Sequence, residues 1–234
     1  MKLGIMQPYL FPYIGYFQLI ASCDRFVIYD DVQYIKGGWI NRNRILINGA
    51  PHYITLPIRK DASHLDTINQ RYFAPDFEKH KASVARQIGD AYRKAPFFTN
   101  VYDLVQECLQ SNDENVASFV TQTIQRCCEY LNIATPLIMS SSLAKDVTLD
   151  AEDRVIGINK ILGTDTYINS IGGLELYKRE NFGRHGIQLQ FIRTKDLVYP
   201  QFSAPFVPSL SIIDLMMFNS KEKVLEFLKM CDLV

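Results

Sequence analysis

The chain has 234 residues, 47% of them apolar, with 25 basic residues set against 25 acidic ones. A chain of this length buries about 70–75% of the surface its unfolded form exposes, so it folds without help from disulfides or a metal. Zero net charge and no low-complexity run argue against a disordered protein, a nonspecific nucleic-acid binder and a peripheral membrane protein.

Residues 2–7 read as a buried first strand, entered straight from Met1-Lys2-Leu3-Gly4 with no leader pattern. Pro8 and Pro12 make residues 8–13 a loop. Ile14, Phe17, Leu19, Ile20 and Cys23 give residues 14–22 one broad apolar helical face. Residues 25–32 (RFVIYDDV) read as a second strand, so the first three elements form a βαβ unit with a parallel pair. A polar loop at 33–43 leads into a hairpin, 44–47 and 53–58, around the turn dipeptide Asn48-Gly49.

Residues 75–132 read as a helical insertion: helices at about 77–94, 100–110 and from the Asn112–Asn115 break to about 131. Strand-like PLIMS at 136–140 follows, then a helix at 151–162 with Asp150 as N-cap and Gly163 as stop. A strand at 165–170 opens into Ile171-Gly172-Gly173. A helix at 174–182, a last strand at 187–192 and two helices at about 211–218 and 222–230 complete the chain. The order specifies one α/β unit over residues 1–234: a Rossmann-like parallel sheet with helices on both faces, a β-hairpin and a helical insertion. In such sheets ligands bind beyond the carboxyl ends of the strands, which directs attention to the segments after Gln7, Val32, Ser140 and Ser170.

Four of these segments carry chemistry. In MQPYLFPYIGYFQLI, the aromatics Tyr9, Phe11, Tyr13 and Tyr16, stiffened by two prolines, read as a ligand wall, with a hydrophobic plug as the alternative. Gly15 at the helix start allows close approach of a phosphate or carboxylate, and Gln7 stands at the strand end. In YDDVQYIKGGWINRNRI, Asp30 or Asp31 suits a general base or a ligand to Mg²⁺ beside a phosphate, with only one of the pair facing the site. Lys36 is a further catalytic candidate. Arg42 and Arg44 suit phosphate or carboxylate, and Trp39, the one tryptophan, suits stacking on a base or sugar. Asn41 and Asn43 alternate with the arginines, so one pair serves the site and the other the scaffold. Asn169, Gly172 and Gly173, with Tyr177 behind them, form a strand–turn–helix cradle. Ser209 and Ser211 ahead of Asp214 resemble a helix cap, with a phosphate-contacting serine loop as the alternative.

Cys23, Cys108, Cys127, Cys128 and Cys231 are odd in number and irregularly spaced, without a CxxC pair. They read as reduced thiols of a cytoplasmic protein, and no metal site is expected. His52, His64, His80 and His185 show no partner spacing and read as surface or packing residues. There is no nucleophile elbow, Walker A loop, HExxH or GxGxxG, and no apolar run near the roughly 20 residues a membrane span requires. The helical block reads as core, its outer side serving as a lid or an oligomer surface.

The MQPYLFPYIGYFQLI and YDDVQYIKGGWINRNRI stretches resemble the WbqC-like family of bacterial proteins. DTYINSIGG, LELYKRENFGRHGIQLQFI and PSLSIIDLMMFNS extend the match over nearly the whole chain. Members occur in gene clusters for O-antigen and other surface polysaccharides. The resemblance implies a cytoplasmic enzyme that binds a nucleotide or nucleotide-sugar and transfers an acyl or aminoacyl group, such as glycine, to an amino sugar. Tyr13-Ile14-Gly15-Tyr16 is also similar to the His-x-Gly-His turn of pantothenate-synthetase-type nucleotidyltransferases, with both histidines replaced by tyrosines. Tyrosine donates a hydrogen bond and stacks, but carries no positive charge near neutrality. That comparison therefore implies a nucleotide pocket without the usual adenylyl transfer. The alternatives are a noncatalytic nucleotide- or RNA-binding module, and an interaction protein using the helical block.

Overall fold

The computed structural model describes residues 1–60, 63, 65–202 and 205–234, so His64 lies outside the described residues. In chain order, β1 (Lys2–Met6), α1 (Ile14–Ala21) and β2 (Arg25–Ile28) are followed by a separate hairpin of β3 (Arg42–Ile47) and β4 (Ala50–Thr55). The insertion is three helices, α2 (Phe77–Tyr92), α3 (Phe98–Leu109) and α4 (Val116–Tyr130). Then come β5 (Leu137–Met139), α5 (Ala151–Leu162), β6 (Thr166–Ser170), α6 (Arg179–Gly183) and β7 (Gln188–Thr194). The chain ends with α7 (Ile212–Phe218), α8 (Lys221–Leu228) and β8 (Cys231–Leu233).

The main sheet runs β5-β2-β1-β6-β7-β8, and all its pairings are parallel except that of β7 with β8. Its side chains alternate as the pleat requires. Leu3 and Ile5 of β1, Val27 of β2 and Phe191 of β7 enter a core shared with α5 and α6. Phe26, Ile28, Ile168 and Ile192 enter a larger core with α1, α7, α8 and the helices of the insertion. Helices therefore cover both faces. The chain steps from β1 outward to β2 and β5, then returns to the other side of β1 for β6 and β7. Strand order reverses between β1 and β6, where such sheets bind ligands.

Local signals set most boundaries. Asn48 and Gly49 both take positive φ (51° and 77°), as a two-residue hairpin turn demands. Asp150 accepts a hydrogen bond from the Asp153 amide at 2.9 Å, and Gly163 closes α5 in the left-handed conformation.

Three expectations are corrected. The second strand ends at Ile28 rather than at residue 32, because the Asp30 amide turns back to the Ile28 carbonyl and the Asp30 carbonyl pairs with Asn69. Asp30 and Asp31 thus lie beyond the strand and do not follow its alternation. The helix expected at 174–182 shrinks to Arg179–Gly183. Leu174 and Leu176 are exposed and bury no face, and Glu152 instead binds the Lys178 amide and the Asn181 side chain. The last strand is β8, three residues too few for periodicity to reveal, and it adds an antiparallel edge.

Candidate functional site

At the point where strand order reverses, a cavity of about 400 Å³ opens beyond the ends of β1 and β6. Met6 and Ser170 form its floor at the two strand ends. Tyr9, Pro12 and Tyr13 from the loop after β1, with Gly15, Tyr16 and Leu19 of α1, make one wall. Trp39 from the loop before the hairpin, with Asn43 and Arg44 of β3, makes another, and Ser209, before α7, completes the rim.

The loop after β1 is irregular, yet its carbonyls are tied down. The Tyr16 hydroxyl donates to the Gln7 carbonyl at 3.0 Å. Asn43 Nδ2 donates to the Leu10 and Phe11 carbonyls, each at 2.9 Å, and its Oδ1 accepts from the Arg44 amide. Ser211 Oγ also donates to the Phe11 carbonyl, and the Ile212 amide donates to Pro12. These contacts hold Phe11 at φ 42°, a left-handed conformation that costs a non-glycine residue about 1–3 kcal/mol. Ser209, on the facing loop, is left-handed as well, at φ 56°. Two constrained non-glycine residues beside one cavity make this a preorganised wall.

Arg44 is the one charged side chain on the cavity lining among the described residues. Its Nη2 donates to the Ser209 carbonyl at 3.0 Å and its guanidinium lies 5.5 Å from the Trp39 ring centre. Its Nε is buried and has no hydrogen-bond partner. A buried guanidinium N–H without an acceptor is costly to leave unpaired. Trp39 is 37% exposed and stacks against Tyr53 at 6.1 Å. Burial raises the Tyr9 phenol, and raises that of Tyr16 well above the ordinary tyrosine range. Both stay neutral near physiological pH, so they stack and donate rather than act as bases.

Of the residues expected from the sequence, the cavity gathers Tyr9, Tyr13, Gly15, Tyr16, Trp39, Asn43 and Arg44. Gly15 makes room for the chain itself: a Cβ there would come within 2.3 Å of Tyr13 Cζ, so the Tyr13 ring lies on the first turn of α1. Gln7 contributes its carbonyl to Tyr16. Asn41 serves the hairpin, donating to Leu56 O at 2.8 Å and accepting from the Tyr34 hydroxyl. Arg42 folds back on the Gly37 and Gly38 carbonyls and sits 4.4 Å over the Tyr53 ring. The alternation within Asn41–Arg44 therefore does not divide by residue type, since Asn43 and Arg44 reach the cavity while Asn41 and Arg42 brace the hairpin.

The other expected residues stand apart from this cavity. Asp30 is fully buried and accepts from the Ser141 amide at 2.9 Å and the Ser141 hydroxyl at 2.6 Å. Asp31 pairs with buried Lys145 at 2.5 Å, and its Oδ1 has no partner. Lys36 is exposed and pairs with neither aspartate. The Asn169 side chain accepts from the Ser170 amide and lies where a Cβ on Gly173 would intrude, at 2.5 Å. Gly173 is thus a close-packing glycine. Neither it nor Gly172 lines the cavity. Ser170 and Ser209 do; the sequence marks the first only as a strand end and the second as part of a cap, with a phosphate-contacting loop as the alternative. The fold rule that ligands sit beyond strand ends was the signal for Ser170. Among the described residues no group of three or more His, Cys, Asp or Glu could hold a metal ion, and no helix is long and apolar enough to cross a membrane.

Comparison with known proteins adds two findings. The model of the WbqC-like protein family matches residues 7–226. "Uncharacterized protein Rv1507c" of Mycobacterium tuberculosis is 27% identical over 233 residues, covering 98% of each chain. No solved structure matches the chain.

Proposed function

The chain belongs to the WbqC-like protein family, and from that premise we propose that the cavity between β1 and β6 binds a nucleotide or nucleotide-sugar. In this reading the protein is a cytoplasmic enzyme of bacterial surface-polysaccharide biosynthesis that transfers an acyl or aminoacyl group, such as glycyl, to an amino sugar. The observation that carries the binding step is Arg44, the one charged side chain on the cavity lining among the described residues, set beside Trp39. A flat ring stacks on the indole while a phosphate or carboxylate oxygen accepts from the guanidinium. Mg²⁺ would arrive on the nucleotide phosphates rather than in a protein cage.

Calorimetry with ATP and with uridine- and thymidine-linked amino sugars tests this, Trp39 emission serving as a local reporter. We expect saturable binding by at least one ligand, weakened about tenfold or more by Arg44→Ala, the order of a lost charge-assisted bond. No binding by any of them to folded protein sinks the reading. A second reading, a noncatalytic binding module, is favoured by the lack of a carboxylate or imidazole on the cavity lining among the described residues. Binding without transfer, or binding of tRNA that weakens steeply with salt, would support it.

A further inference from the structure

A second cavity, of about 460 Å³, lies beside the first, at the end of β7. Thr194, Lys195 and Asp196 lie along it, with buried Leu210 and Leu215 beneath. Lys195 pairs with Asp232 at 2.8 Å, both about half exposed, a contact that yields readily to a ligand. The two cavities share two wall residues, Tyr13 and Ser209. Tyr13 is 42% exposed, and its hydroxyl has no hydrogen-bond partner among the described residues. Its ring rests on Gly15, the one residue type that leaves room for it there. No polar contact therefore anchors the side chain that stands between the two spaces.

We infer that the two cavities are halves of one bipartite substrate site and that Tyr13 is the movable partition between them. The ligand that fills both is a nucleoside diphosphate sugar. Its nucleoside lies against Trp39, its phosphates pass Arg44 and Ser209, and its sugar enters the second cavity. There Thr194, Lys195 and Asp196 offer donors and acceptors to hydroxyl groups, and the apolar side chains face the ring's C–H surface. This inference rests on the nucleotide reading above and narrows it from a nucleotide or nucleotide-sugar to a sugar-linked diphosphate that spans both cavities.

The test measures Kd for uridine diphosphate, UDP-N-acetylglucosamine and dTDP-glucose on the full chain and on Val198→Trp and Tyr13→Ala. Val198 lines the second cavity and is largely exposed, so the added indole narrows that space without overfilling the core. Expected for the natural chain is a sugar nucleotide bound about tenfold tighter than the bare diphosphate, a difference equivalent to ~1.4 kcal/mol. Val198→Trp should erase that ratio and leave the diphosphate Kd unchanged. Tyr13→Ala should speed association of the sugar nucleotide severalfold more than that of the diphosphate. Equal affinity for bare and sugar-linked diphosphates, or a ratio indifferent to Val198→Trp, overturns the bipartite site. If the diphosphate itself fails to bind, the nucleotide reading falls first and this inference with it.

Discussion

Replacing Asn43 by alanine should loosen the cavity wall more than the loss of one surface amide would suggest. Asn43 is 4% exposed, and Leu10 and Phe11 are essentially buried. Its Nδ2 serves both of their carbonyls at 2.9 Å. In Asn43→Ala the Phe11 carbonyl keeps the Ser211 hydroxyl at 2.8 Å, whereas the Leu10 carbonyl loses its donor and the Arg44 amide loses the Asn43 Oδ1. Each buried group stranded in this way costs about 1–3 kcal/mol, so a total near 2–4 kcal/mol is expected. For a chain of this size that corresponds to a Tm lower by about 5–15 °C. Asn43→Asp keeps the shape and the acceptor but sets an oxygen against two carbonyls, and it should do no better than alanine while ionised. Thermal unfolding gives the magnitude, and hydrogen exchange at residues 9–16 tests whether the loss is local to the loop and the start of α1. A Tm for Asn43→Ala within about 1 °C of the parent, with protection in those residues unchanged, would refute the argument.

Lys145→Met should cost about 3–5 kcal/mol in urea unfolding, because it leaves Asp31, whose side chain is only 13% exposed, without its cation. The double variant with Asp31→Asn should recover much of that, and a neutral single variant would contradict the buried pair. Asp214 accepts from Tyr92, Tyr199 and Gln201, but burial outweighs these bonds and raises its carboxyl above the usual range. A raised folded value means that the stability this group contributes is fully present below its unfolded pKa, near ~4, and is lost as pH rises through the folded pKa. The stability difference between the parent and Asp214→Asn should therefore shrink with rising pH over that window, and a flat difference would contradict it. Burial pushes the Cys23 and Cys128 thiols up to about 12, and Cys127 is raised by its hydrogen bond with Cys108 and by burial. Ellman's reagent should label half-buried Cys231 readily in the native protein and all five thiols only in denaturant. Prompt labelling of several thiols in the folded chain would show that these helices open easily.

The parts of the fold that sequence made legible are those with local causes. Asp150 and Gly163 bracket α5, Asn48-Gly49 turns the hairpin, and Pro8 and Pro12 keep the site loop irregular. The aromatic lining was legible in part: Tyr9, Tyr13 and Tyr16 border the cavity, whereas Phe11 is buried in the core, the plug that was the alternative. What escaped notice was decided by partners far away in the chain. Nothing near Asp30 announces that Ser141 will claim its carboxylate, and nothing near Asp31 announces Lys145. The pairing of Arg44 with the Ser209 carbonyl spans 165 residues. Gly15 and Gly173 were read as ligand-facing glycines, while their space is taken by the chain's own Tyr13 and Asn169. A glycine's need for room is visible in sequence, but its neighbour is not.

The most direct measurement of the central claim is a crystal structure of the protein grown with uridine diphosphate and Mg²⁺. The expected density has the base against Trp39 and a phosphate oxygen accepting from the Arg44 guanidinium, between the ends of β1 and β6. A cavity left empty at saturating ligand, or density bound away from Arg44 and Trp39, would contradict it.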